Sequence, residues 1–217
     1  MSVRQSEHAA VWTEDKLRRL FESSSDVQIQ SFAFDERDDG SVVLLIYAEG
    51  LCDSSQIVKT VVPELSRMYA HNGFEHLLKG RSLGPLPLVA FREEATEEHI
   101  ADAVFEGDLT IMLPKTGMLF KLNISNRPER SPEESSTEIS IKGPRDGFVE
   151  DVTVNVGLIR KRIRSNSLHC ETFVLGRRTR TKVGLLYLAD VLSPDILREV
   201  RARLDKIDID GLYSINQ

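Results

Sequence analysis

The sequence predicts an α/β (α+β) protein built from two small mixed subdomains, and three observations carry that prediction. Short β-like apolar runs are interspersed with stretches whose apolar residues recur at helical spacing. A polar stretch, SNRPERSPEESS at 125–136, holds two prolines and almost nothing to bury, which is linker chemistry. At 217 residues the chain is long for one compact domain and comfortable for two. The expected division is a first subdomain over 1–124, a linker over 125–136 and a second subdomain over 137–217.

In the first subdomain, Thr13 followed by Glu14 and Asp15 predicts the capped start of an amphipathic helix. VQIQSFAF and SVVLLIYAEG read as strands joined through the turn-forming DERDDG. That turn is acidic but lacks the alternating ligands and distal Glu of a calcium loop. Asp53 or Ser54 caps a further helix with Ile57, Val61, Leu65 and Met68 on one stripe, and Pro63 marks a bend or a late start. Thr96 opens another helix. DLTIMLP and GMLFKLNI form a second hairpin, turned at Lys115, Thr116 and Gly117.

The second subdomain reads strand (TEISIKG), helix (152–164), strand (LHCETFVL), strand (KVGLLYLADV), helix (194–207) and a short closing strand. This is the β-α-β-β-α-β order of ferredoxin-like units.

The loop GPRDGFVED, at 143–151, is the first candidate site. Gly143 and Gly147 permit unusual backbone conformations and Pro144 fixes its own φ, so the chain turns sharply. Glu150 or Asp151 places negative charge at the following helix N-terminus, and Phe148 lies where a hydrophobic staple fixes the entry angle. Val152, Val156, Ile159 and Ile163 form the apolar stripe. Asn155 and Arg162 share that face and are expected to be at least partly buried, so each needs hydrogen bonds. Loop carbonyls and Asp146, with Arg145 beside it, supply candidates, which makes the loop a structural latch. The competing reading is an anion cradle. Glu150 and Asp151 oppose it, and the lysine and spacing of a phosphate loop are missing.

Charge is unevenly spread. The net charge is −6, yet 1–141 carry 14 Lys+Arg against 24 Asp+Glu, while 142–182 carry 10 against 4. This argues against nucleic acid as the partner of the whole chain and marks a basic patch on an acidic molecule. GRRTRTK places Arg177, Arg178, Arg180 and Lys182 at a hairpin tip. Arg160, Lys161 and Arg164 crowd the preceding helix end, where a solvated charged face is expected. For the hairpin, three acidic answers stand: the first subdomain, a partner subunit, or anionic lipid headgroups. The acidic first 141 residues make a subdomain or neighbouring-subunit contact the first choice.

Two cysteines, Cys52 and Cys170, predict neither a disulfide framework nor a metal site, and fit a reducing compartment. His71 and His76 lie five apart, a spacing that does not align them on a helix face. The N-terminus lacks an apolar signal segment, and the apolar run Val42–Ala48 is far too short to span a bilayer. No nucleophile sits in a recognisable motif, so no enzyme, catalytic residue, metal or cofactor is expected. The alternative reading is a small nucleic-acid- or anion-binding α/β module using the basic hairpin. Its strand TKVGLLYL supplies one Tyr where base-stacking sheets present several aromatics.

Four blocks in order, IKGPRDGFVED, NVGLIRKRIRS, GRRTRTKVGLLYLADV and VRARLDKIDIDGL, resemble the A-subunit of GerA-type spore germinant receptors. The resemblance is strong over 141–212 and weaker over 108–122. It implies a cytoplasmic N-terminal domain, facing the spore core, of a nutrient receptor in the inner spore membrane. It further implies work with the receptor's B and C subunits, self-association through the A-subunit, and response to a small-molecule nutrient that this domain itself is a candidate to bind. A membrane-embedded part with several spanning helices is expected beyond 217.

Overall fold

The computed structural model describes residues 12–74, 77, 85–126 and 147–212. Its first half is a five-stranded antiparallel sheet between two helical layers. Thr13 sits in extended backbone and its hydroxyl accepts from the Lys16 N–H, starting α1 (Glu14–Leu20). Strands β1 (Val27–Ala33) and β2 (Val42–Ala48) pair with Val27 opposite Ala48. In their connection the Asp38 carboxylate accepts from the Gly40 N–H and caps a single 3-10 turn, Asp39–Ser41.

Asp53 caps a short turn, α2 (Ser54–Gln56), and the chain continues through a π-turn, Ile57–Val61, into α3 (Val62–Asn72). Pro63 falls in the first turn of α3, where a missing N–H is tolerated. The expected bend or late start is thus realised as a locally widened helix. Ile57, Val61, Leu65 and Met68 are all buried.

A two-residue strand, β3 (Val89–Ala90), precedes α4 (Glu97–Phe105), which opens with a reciprocal cap between Thr96 and His99. Strands β4 (Asp108–Leu113) and β5 (Met118–Asn123) follow, and the spatial order is β1-β2-β4-β5-β3. Alternation along β2 sends Val43, Leu45 and Tyr47 against the π-turn and α3. Leu44, Ile46 and Ala48 pack the opposite way, with Leu17 of α1, Phe21 at its C-terminal cap, and Ile100, Val104 and Phe105 of α4. A strand buried on both faces explains the unbroken apolar run VVLLIYA.

The second half shows helix, strand, strand, helix: α5 (Val152–Arg162), β6 (Leu168–Leu175), β7 (Thr181–Leu188) and α6 (Pro194–Asp205). The expected strand TEISIKG, residues 127–136 of the linker, and Gly143, Pro144, Arg145 and Asp146 lie outside the described residues. One face of the hairpin takes α5, whose Val152 and Val156 methyls crowd the bare Cα of Gly184. The other carries Glu171 and Tyr187, which Arg201 of α6 reaches. Among the described residues no strand follows α6, and the segment from α6 to residue 212 crosses the hairpin tip. There the Arg177 N–H donates to the Ile209 carbonyl (3.0 Å) and the Arg178 N–H to that of Asp210 (2.9 Å).

The apolar stripe expected on α5 needs correction. Val156, Gly157, Leu158 and Arg160 are its buried residues, Arg162 is exposed, and Ile163 is 38% exposed. Two surfaces bear on this helix, the hairpin and the N-terminal half, so the covered arc is wider than one stripe and turned towards Arg160. Ile163 has already left helical backbone.

Candidate functional site

The two halves meet through backbone and side chains. The Ser25 N–H donates to the Cys170 carbonyl and the Cys170 N–H to that of Ser23, each at 2.9 Å, so β6 begins against the chain entering β1. The Ser25 and Thr172 hydroxyls share a hydrogen bond of 2.9 Å. At the far side, Gly50 adopts φ +78, and a Cβ there would lie 2.6 Å from the Thr153 carbonyl oxygen of α5. Glycine is required at Gly50 both for its backbone and for this approach.

Between these contacts Arg160 is fully buried. Its Nε donates to Asp26 Oδ2 at 2.8 Å and its Nη2 to Oδ1 at 2.9 Å, a two-pronged match of guanidinium to carboxylate. Nη2 also reaches the Ser24 hydroxyl (3.3 Å) and Nη1 the Ser165 carbonyl (3.4 Å). The guanidinium lies 3.9 Å from the ring centroid of Phe105, itself edge-on to Phe21. At the rim, Arg164 approaches Glu106 at 3.6 Å. The solvated charged face expected for Arg160 is therefore corrected. Four residues beyond Val156, it falls on the arc that faces the N-terminal half. That position was visible in the sequence; Asp26, 134 residues away, was not.

At the loop, Asp151 Oδ1 accepts from the Thr153 N–H at 2.7 Å. Asn155 bonds the Val149 backbone twice, accepting from its N–H (2.8 Å) and donating to its carbonyl (2.7 Å). Gly147 belongs to the same described segment. Phe148 is 70% exposed and does not staple the helix. Asn155 thus joins the loop's last residues to the helix, and Arg162 is exposed.

At the hairpin tip, Gly176 (φ +83) and Arg180 (φ 48) turn the chain. Arg177 Nε lies 3.2 Å from Asp208 and 3.4 Å from Asp210. The acidic answer to Arg177 comes from the chain's own tail, not from the acidic first half. Arg178, Arg180 and Lys182 are exposed and form no ion pair among the described residues. The Leu212 N–H donates to the Thr179 hydroxyl (3.2 Å), and the Thr181 hydroxyl donates to the Leu212 carbonyl (3.4 Å).

A groove of ≈ 690 Å³ opens where the halves meet, with Lys16, Arg19, Glu22, Glu97 and His169 among its walls. Behind it Glu171 accepts from Arg201 and from the Tyr187 hydroxyl (2.6 Å), which holds its carboxyl below the usual range. Burial pushes the Cys52 thiol up to about 12 and also raises Cys170. Among the described residues no cluster of His, Cys, Asp and Glu could hold a metal ion, and no helix is long and apolar enough to cross a membrane.

This two-part α+β architecture is the fold of a germinant-receptor N-terminal domain. It matches the crystal structure of the N-terminal domain of the A subunit of the Bacillus megaterium spore germinant receptor GerK3 with a TM-score of 0.61, at 19% identity, over 95% of this chain and 76% of that one. The family described as Bacillus/Clostridium GerA spore germination protein matches residues 15–217, and the chain belongs to that family. Spore germination protein XA of Bacillus anthracis is 35% identical over 204 residues, 94% of this chain and 42% of that protein. The uncharacterized membrane protein YfkQ of Bacillus subtilis is 28% identical over 198 residues, 91% of this chain and 38% of that protein. The chain thus spans less than half the length of these relatives.

Proposed function

We propose that this chain is the cytoplasmic-face module of a germinant-receptor A-subunit, taking part in receptor assembly and in the signal that triggers spore germination. Family membership and fold support the receptor context. The observation that carries the transmitting role is the Arg160–Asp26 junction, which couples two halves of separate hydrogen-bonded sheets. In this reading the module works with the receptor's B and C subunits and with further A-subunits at the inner spore membrane, reached through a membrane-embedded region. Its two subdomains divide at 125–136, where limited proteolysis should cut first.

The test is a receptor carrying Arg160→Met together with Asp26→Leu, which removes the ionic coupling without leaving a lone buried charge. Spores should hold normal amounts of the subunit yet respond weakly to nutrient. A normal response at normal abundance would remove the junction from the signal.

A second reading, nutrient binding by this module itself, is favoured by the groove. Arg19 and Glu22, beside the Lys16–Glu97 ion pair (3.9 Å), offer both charges that a zwitterionic amino acid requires. NMR titration with amino acids and sugars should give saturable shifts confined to α1 and the start of β6; their absence would reject this reading.

A further inference from the structure

We propose that the tip of the β6–β7 hairpin seats Arg178, Arg180 and Lys182 among anionic lipid headgroups. The inference rests on the membrane-associated reading above and adds the surface that makes the contact. The first observation is charge without an answer. These three cations lie within five residues of one turn, are exposed, and have no ion pair among the described residues, whereas Arg177 is met by Asp208 and Asp210. Like charges so close repel one another until a counter-charge approaches.

The second observation is composition. Lys182 pairs across the hairpin with Val174, so the two side chains leave the same face, and Val174 is 53% exposed. A cation with an apolar neighbour suits the boundary between headgroups and acyl chains.

The third is position. β6 is fixed against Ser23 and Ser25 at Cys170 and Thr172, and the end of the strand at the tip lies five residues past Cys170, roughly 17 Å at 3.3 Å per residue. The acidic N-terminal half is thus held at the other end of the hairpin. Leu212, bonded to Thr179 and Thr181, brings the chain out beside the same cations. The matched span is less than half of these relatives' length, and one of them is a membrane protein. With a net charge of −6, most of the surface is repelled by an anionic bilayer. The basic tip therefore sets the orientation.

The test is co-sedimentation of this chain with vesicles of phosphatidylcholine alone or mixed with phosphatidylglycerol, at low and high salt. Wild type should bind only the anionic vesicles and lose them as salt rises. Replacing Arg178, Arg180 and Lys182 by Ser should weaken partition about fivefold per cation, near a hundredfold together. Arg198→Ser with Arg203→Ser, which removes exposed cations already paired on α6, should bind as wild type. Circular dichroism checks that each variant is folded. No wild-type binding, equal binding by the triple variant, or equal loss in the α6 control overturns the proposal. Tighter binding to poly-glutamate than to anionic vesicles would also overturn it, assigning the tip to an acidic protein. Because vesicles report lipid contact alone, a negative result here leaves the receptor reading standing, and normal spore germination in the junction variant leaves the lipid contact standing.

Discussion

Arg160 and Asp26 form a two-pronged ion pair with neither residue open to solvent, and they come from opposite halves of the molecule. Two ions withdrawn from water are costly unless geometry and further hydrogen bonds offset the loss. Ser24, the Ser165 carbonyl and the Phe105 ring supply that support. Arg160→Ala should therefore destabilise the fold by about 3–5 kcal/mol, because Asp26 is left charged and unpaired. Arg160→Met with Asp26→Leu should cost much less than the sum of the single changes. Denaturant midpoints of the wild type, Arg160→Met, Asp26→Leu and the double variant measure this, and strict additivity would remove the pair as an energetic unit.

Gly50→Ala tests the close approach of α5. The new methyl would meet the Thr153 carbonyl, and the backbone at φ +78 disfavours any side chain. A loss of about 2–4 kcal/mol is expected. Gly73→Ala is the control, since it shares a positive φ (+61) but a Cβ there meets nothing within 4 Å. Equal losses at both positions would leave backbone strain as the whole effect.

Asn155→Ala should release Val149. Two backbone bonds are lost in a partly solvated place, so the stability cost is about 1–2 kcal/mol. Hydrogen exchange at the Val149 amide reads the local effect, and unchanged protection there would refute the latch.

Tyr69 should titrate well above an ordinary tyrosine. Its hydroxyl donates to the Asp38 carboxylate at 2.8 Å, and that bond, more than burial, pushes its pKa up to about 12. A raised folded value means the contribution to stability is complete below the ordinary 10.0 and fades as pH rises through about 12. The difference between ultraviolet phenolate titrations of the wild type and Tyr69→Phe isolates the group, and Asp38→Asn should bring it back towards 10.0. An unshifted tyrosine in that variant's parent would contradict the bond.

Helix starts were legible because caps are local. Thr13, Asp53 and Thr96 each bond an N–H no more than three residues ahead. β2 was legible as an unbroken apolar run, and the turn between β4 and β5 through Gly117. The burial of Arg160 was not, because a helical stripe reports one contacting surface and α5 has two. The partner of Arg177 was misjudged for a related reason. Segment charge totals pointed to the acidic first half, whereas Asp208 and Asp210 reach Arg177 through the path of a tail whose own net charge is small. Phe148 shows the limit of pattern from the other side, since a staple position describes opportunity and this residue is 70% exposed.

The fastening of Leu212 to Thr179 and Thr181 has a mechanical consequence. Any pull or twist on the polypeptide past Leu212 is delivered first to the far end of a long two-stranded beam. The eight paired positions from Leu168–Leu188 to Leu175–Thr181 resist bending together, so the beam swings as one piece. Its pivot is the pair of backbone bonds tying Cys170 to Ser23 and Ser25. Displacement of the tip therefore acts on that attachment, and on the Ser25–Thr172 hydroxyl bond two residues nearer the tip, with the leverage of the strand beyond it.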